Sequence, residues 1–264
     1  MEESEVFNDN WFGALHPDDG IVKEGRWAYT PISTVDTDTF SIYSPYSLAR
    51  SPWNANNVEY LTRYSDFYGS SFTLMPTCTS HYNLMFDESL YEFGYNAQYL
   101  PHGVVHSVMG GVTNSDVYGT MRSYGMGLAN SDYLSSSMFV YQKNMWRFGA
   151  YTCQSDCSTD TDPLDCACSC PSLEMWKNKD QLSYITTLLG LSKDTLESKT
   201  GVDLTEVFVD AMCNSEGTSS PMIGDMLESG SPIDPLFWPI HPAMERLFFR
   251  WTMTGDRDEE WFSF

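Results

Sequence analysis

Pro101-His102-Gly103-Val104-Val105-His106 and Asp234-Pro235-Leu236-Phe237-Trp238-Pro239-Ile240-His241 decide how this chain is read. They hold three of its five histidines. His102 and His106 are four residues apart. On a helix that spacing stacks both imidazoles on one face, with Cβ atoms about 5–6 Å apart, so both can reach one ion. Gly110-Gly111 then closes the helix. His241 is the candidate third ligand. A His-x-x-x-His pair alone is a weak metal signal, and the second stretch strengthens it. Three neutral imidazoles suit copper, zinc or nickel.

The segments around these histidines read as helices. Pro242 is tolerated only in a first turn, so a helix over residues 242–251 is expected to begin at His241 or Pro242. Met244, Leu247, Phe248 and Trp251 form its apolar stripe. Glu245 lies one turn on from His241, with Arg246 and Arg250 as candidate ion-pair partners. Residues 85–100 hold a second helix, with Asp87 as N-cap and Leu90, Phe93 and Ala97 turned toward the His102 helix. His81, just upstream, suits a hydrogen-bonding role. His16, before Pro17 and among acids, suits an exposed loop.

Residues 1–70 are rich in Asp, Ser, Tyr, Asn and Pro and read as loop, with a short strand or two near Trp27–Ile32. Residues 112–230 separate the second and third candidate ligands. They carry a Ser/Gly/Met-rich part, a cysteine cluster and two helices, one capped by Asp180 over Gln181–Leu189 and one by Asp203 over Leu204–Cys213. Leu204, Val207, Phe208 and Ala211 form the apolar face of the latter. No catalytic spacing is found in this stretch, which reads as a covering subdomain or docking surface.

With 264 residues and 42% hydrophobic content, the chain has material for one core or at most two small ones. A net charge of −22 makes nucleic acid and anionic membranes poor partners, because their phosphates repel this surface. No apolar run approaches a membrane span. Residues 1–20 are acidic and polar, unlike a signal peptide. Seven cysteines are present, five of them at Cys153, Cys157, Cys166, Cys168 and Cys170, the others at Cys78 and Cys213. Cys-x-x-x-Cys and Cys-x-Cys-x-Cys are not the usual Cys-x-x-Cys knuckles of zinc sites. Disulfides in a secreted or organelle-lumen protein are favoured over zinc, with one thiol left over or bridged to another chain.

Taken together, Pro101-His102-x-x-x-His106 with Gly110-Gly111, and Asp234-Pro235-Leu236-Phe237-Trp238-x-x-His241-x-x-x-Glu245-Arg246-Leu247, resemble the second copper half-site of tyrosinases and catechol oxidases, the type-3 copper proteins. Trp11-Phe12-Gly13, Val22-x-x-Gly25-Arg26-Trp27 and Leu61-Thr62-Arg63 look like the family's link between its half-sites. The resemblance implies that residues 1–264 cover the family domain from its middle onward, with the insertion at about 112–230. It implies a mainly α fold: a partial tyrosinase-like helical bundle core with long loops, a cysteine-rich insertion and few short strands. It also implies one copper ion at most on His102, His106 and His241.

A type-3 centre uses two coppers, each held by three histidines, to oxidise phenols or diphenols with dioxygen. Only His16 and His81 remain for a second triad, so this chain cannot complete one. The chain is then the C-terminal portion of a longer protein, a relative with one mononuclear site, or a family fold turned to structure or assembly. In the first case a missing half-domain or a partner chain supplies the other triad, and a phenolic small molecule is the substrate. Two departures bear on chemistry. Gly103 stands where the family commonly has asparagine, which puts monophenol hydroxylation in doubt. Ile240 stands where it commonly has the first of two paired histidines, removing a polar contact near the metal.

Overall fold

Helices dominate the regular structure in the computed structural model, which describes residues 5–70, 75–158, 160–162, 165–170, 189–213 and 221–254. The mainly α expectation holds. In chain order the helices are α1 (Cys78–Asn83), α2 (Leu90–Ala97), α3 (Val104–Gly110), α4 (Val117–Ser123), α5 (Leu128–Arg147), α6 (Thr205–Cys213) and α7 (Phe237–Met253). Two short strands, β1 (Val112–Thr113) and β2 (Met222–Ile223), pair antiparallel with Val112 opposite Ile223. Residues 5–70 run as turns joined by isolated bridges such as Ile21–Thr62 and Pro31–Tyr60. They close over a small cluster of Val22, Ile32, Leu48 and Leu61.

Two helix starts differ from expectation. Ser89, not Asp87, caps α2. Its hydroxyl accepts from the Glu92 amide at 3.1 Å while the Glu92 carboxylate accepts from the Ser89 amide, so two exposed donors are satisfied reciprocally. Asp87 is used otherwise: its carboxylate accepts from Asn96 Nδ2 and its carbonyl from Trp251 Nε1. The last helix starts at Phe237 rather than at His241 or Pro242, so Pro242 lies inside it. The turn at Asp234 sets the earlier start, its carbonyl accepting from the Phe237 amide at 2.9 Å. The donor missing at Pro242 would have faced Trp238, in a first turn that is largely exposed.

The stripe of α7 packs as expected. Trp251 is buried with Leu84, Phe93 and Ala97, and Met244, Leu247 and Phe248 lie against them. The Phe93 and Trp251 ring centroids are 5.1 Å apart. Glu245, Arg246 and Arg250 sit on the exposed side of α7, and no ion pair joins them.

The stretch between His106 and His241 shares a core with the N-terminal loops. Helices α4, α5 and α6 build the largest core, in which Met121, Leu134, Met138, Met145, Phe208 and Met212 pack with Trp53, Phe67 and Tyr68 from the N-terminal loops. In α6 the buried face is rotated from the expected one. Phe208, Val209, Met212 and Cys213 are buried, whereas Val207 and Ala211 are half-buried. The Cys170–Cys213 disulfide and the Tyr151 hydroxyl, which donates to the Met212 carbonyl, hold the helix on that side. The helix expected after Asp180 lies outside the described residues, apart from Leu189, which is buried in this core.

Six of the seven cysteines form disulfides, Cys153–Cys168, Cys157–Cys166 and Cys170–Cys213, and Cys78 is free and exposed. Three disulfides fit an extracellular or lumenal protein. Among the described residues no helix is long and apolar enough to cross a membrane.

Candidate metal centre

The three histidines singled out by sequence arrive from three different pieces of backbone. His102 sits in a wide turn over Gln98–Gly103, where Leu100 breaks the helical path, so the regular helix starts only at Val104. His106 lies in α3, and His241 lies five residues into α7. The i, i+4 spacing still brings the first two rings together across the junction.

Helix α3 ends where Gly111 adopts φ 68°, and a Cβ there would meet the Tyr64 carbonyl oxygen at 2.0 Å. Only glycine allows the chain to turn so closely against that backbone. Beyond it, the Gly224 amide donates to the Gly111 carbonyl at 3.0 Å. A Cβ on Gly224 would lie 1.9 Å from the Gly110 carbonyl oxygen. The end of α3 is thus laid directly on segment 224–227, which faces the triad from the far side of the sequence.

The three Nε2 atoms converge. His102 and His106 are 3.0 Å apart at these atoms, His102 and His241 3.1 Å, and His106 and His241 3.3 Å. Three ligands at about 2.0–2.1 Å in tetrahedral array have nitrogens about 3.3–3.4 Å apart, close to the observed triangle. For His102 and His106 the far side of the ring bears on the tautomer. His106 Nδ1 lies 2.6 Å from the Met226 carbonyl oxygen. A carbonyl only accepts, so this nitrogen carries the proton and the Nε2 lone pair faces inward. His102 Nδ1 makes a longer contact of 3.3 Å with the Gln98 carbonyl. The His241 ring stacks on Phe237, with centroids 3.7 Å apart and planes 24° from parallel.

Burial lowers the pKa of His106, and the neighbouring His102 adds to this, while the Met226 carbonyl opposes it. Burial and the two other imidazoles lower that of His241. Both effects favour the neutral, ligating form. Three lone pairs aimed at one point repel one another unless a cation sits among them, and a single proton can bridge only two. The donor set therefore fits one metal ion. It is the one such cluster of His, Cys, Asp or Glu among the described residues. Comparison with known proteins finds no matching family, curated protein or solved structure.

The other histidines are elsewhere. His81 Nδ1 is 2.8 Å from the Thr77 carbonyl oxygen on an exposed turn, in keeping with a hydrogen-bonding role. His16 lies in a loop, 3.5 Å from Asp19. Sequence reasoning did not find the Met226 carbonyl, the Phe237 stack, or two buried forks. Arg63 donates from Nε and Nη2 to Asp234, both at 2.8 Å, and Arg50 donates similarly to Asp225. Arg63 and Asp234 both stood in quoted motifs, but nothing in one dimension pairs positions 171 residues apart.

Proposed function

We propose that this protein binds one transition-metal ion, copper, through His102, His106 and His241, and that it is a tyrosinase-like protein of the oxidoreductase class. Its substrates would be o-diphenols, oxidised with dioxygen where a first copper site is supplied from outside these residues. The convergence of three Nε2 atoms within 3.3 Å is the observation that carries the metal reading. Copper and the diphenol class rest on the resemblance of the two histidine stretches. When bound, copper supplies one-electron redox chemistry. The chain's own part is to aim three imidazoles at one point. The Met226 carbonyl fixes the His106 proton on Nδ1, and Phe237 fixes the plane of the His241 ring.

A second reading is a non-catalytic tyrosinase-like structural or assembly subunit with one metal site or none. The positions of His16 and His81 support it, since neither lies with the triad. Reduction of dioxygen to the peroxide level needs two electrons, and one copper supplies one.

Copper titration of the metal-free chain, with metal analysis and oxygen uptake on a catechol, tests both readings. One equivalent should bind to the wild type and none to His106→Ala. The chain alone should give no appreciable catechol turnover. Binding that survives His106→Ala would sink the metal centre. Rapid turnover by the chain alone, lost in the variant, would show that one site suffices.

A further inference from the structure

We propose that Arg50 is a positioning residue for His106, acting through Asp225 and the Met226 carbonyl. The inference rests on the metal-centre reading above. Arg50 is buried, and its guanidinium spends all five N–H groups. Nε donates to Asp225 Oδ1 at 2.7 Å and Nη2 to Asp225 Oδ2 at 2.9 Å. The remaining donors reach the carbonyls of Asn56, Val58 and Tyr60. Asp225 also accepts from the Thr62 amide at 2.8 Å and the Thr62 hydroxyl at 3.0 Å.

The donors to the Asp225 carboxylate thus come from the N-terminal loops, and the next residue in the chain presents the carbonyl that His106 uses. The Asp225 amide itself donates to the Thr62 carbonyl at 3.0 Å, so the backbone and the carboxylate of Asp225 are both tied to Thr62. A one-residue displacement of this segment would take the Met226 oxygen away from His106 Nδ1. The imidazole could then place its proton on Nε2, where no metal can bind. The His241 arm has its own anchor. Asp234, held by Arg63, accepts from the Leu236 amide at 2.9 Å at the entry to α7.

The fork makes Arg50 specific. Lysine keeps the charge but offers a single ammonium on a flexible stem and cannot engage both carboxylate oxygens while serving three carbonyls. A purely structural ion pair would alter stability and leave the ring chemistry of His106 alone.

The experiment reads His106 in the metal-free protein, by long-range proton–nitrogen NMR of its ring, and then copper affinity by titration. The wild type should show one tautomer with the proton on Nδ1. Arg50→Lys should show mixed tautomers and bind copper about 10- to 100-fold more weakly, the usual cost of losing an orienting partner of a ligand. Thr62→Val, which at nearly constant shape deletes the hydroxyl bond to Asp225 and the one that hydroxyl accepts from Asn56, should shift both readouts the same way by less. It decides the matter alone if Arg50→Lys does not fold. Arg63→Lys should leave the His106 tautomer unchanged, whereas general loosening of the fold would disturb it. An unaltered His106 tautomer in folded Arg50→Lys, or in Thr62→Val where only that variant folds, overturns the proposal. A wild type that binds no copper would instead refute the metal-centre reading, and the tautomer comparison would still report on Arg50.

Discussion

The Nε2 atoms of His102 and His241 lie 3.1 Å apart although 139 residues separate them in the chain. That contact depends on two arms of backbone being brought together.

The Phe237 ring should matter to the metal through His241. Stacked at 3.7 Å, it leaves the imidazole little freedom to turn. Phe237→Leu keeps an apolar side chain beside Met226 and Leu236 but removes the aromatic face. An aromatic contact of this kind contributes about 0.5–1.5 kcal/mol, so copper affinity should fall about 2- to 12-fold. Calorimetric titration of the variant beside wild type checks this, and an unchanged affinity would mean that the helix alone orients His241.

The Cys170–Cys213 disulfide should be the most stabilising of the three. It closes the longest loop, with a sequence separation of 43, and ties the cysteine cluster to α6 inside the largest core. Loop-closure entropy alone gives about 4 kcal/mol for a loop of this length, against about 3 kcal/mol for the Cys153–Cys168 loop. Urea unfolding of the Cys170→Ser/Cys213→Ser and Cys153→Ser/Cys168→Ser pairs should rank them in that order.

Glu228 should make stability fall as pH rises. Burial raises its pKa, partly offset by hydrogen bonds from Ser51 and Asn54, and the nearby Asp225 charge raises it further. The folded state therefore holds this proton more tightly than the unfolded chain. Its contribution is full below the usual glutamate value of about 4.3 and is lost as pH climbs through the raised folded value. Glu228→Gln cannot titrate, and it gives up one of the acceptors used by Ser51 and Asn54. Unfolding free energies should show the variant weaker than wild type at about pH 4, with the gap narrowing toward about pH 8. A gap that widens with pH would contradict this.

Trp251→Ala should uncouple α7 from α2. Trp251 is 2% exposed, packs on Phe93 and Phe248, and donates to the Asp87 carbonyl at 2.8 Å. A loss of about 3–5 kcal/mol is expected from the cavity and the lost hydrogen bond. Circular dichroism with thermal unfolding measures it. Copper binding should weaken with it, because His241 rides on the same helix.

The sequence by itself singled out the three candidate histidines, the stripe of α7 and the disulfide-rich cluster, and the resemblance carried by its two histidine stretches implied the mainly α character. The His102–His106 pair, the α7 stripe and the cysteine cluster rest on local spacing, and His241 on the Asp234-Pro235-Leu236-Phe237 stretch before it. His102 and His106 are four apart, Met244 to Trp251 repeat at helical period, and crowded cysteines in a polar loop leave few other uses. Tertiary structure alone decided what sits behind the three histidines. The Met226 carbonyl carries no side-chain signal, and any residue could supply it. Ser89 displaced Asp87 as a cap because Glu92 reciprocates and because Trp251, 164 residues from Asp87, claims the Asp87 carbonyl. The early start of α7 depends on Asp234 being fixed by Arg63 across 171 residues. Such pairings have no period in the sequence. They exist because a buried guanidinium and a buried carboxylate must find each other once both have left water.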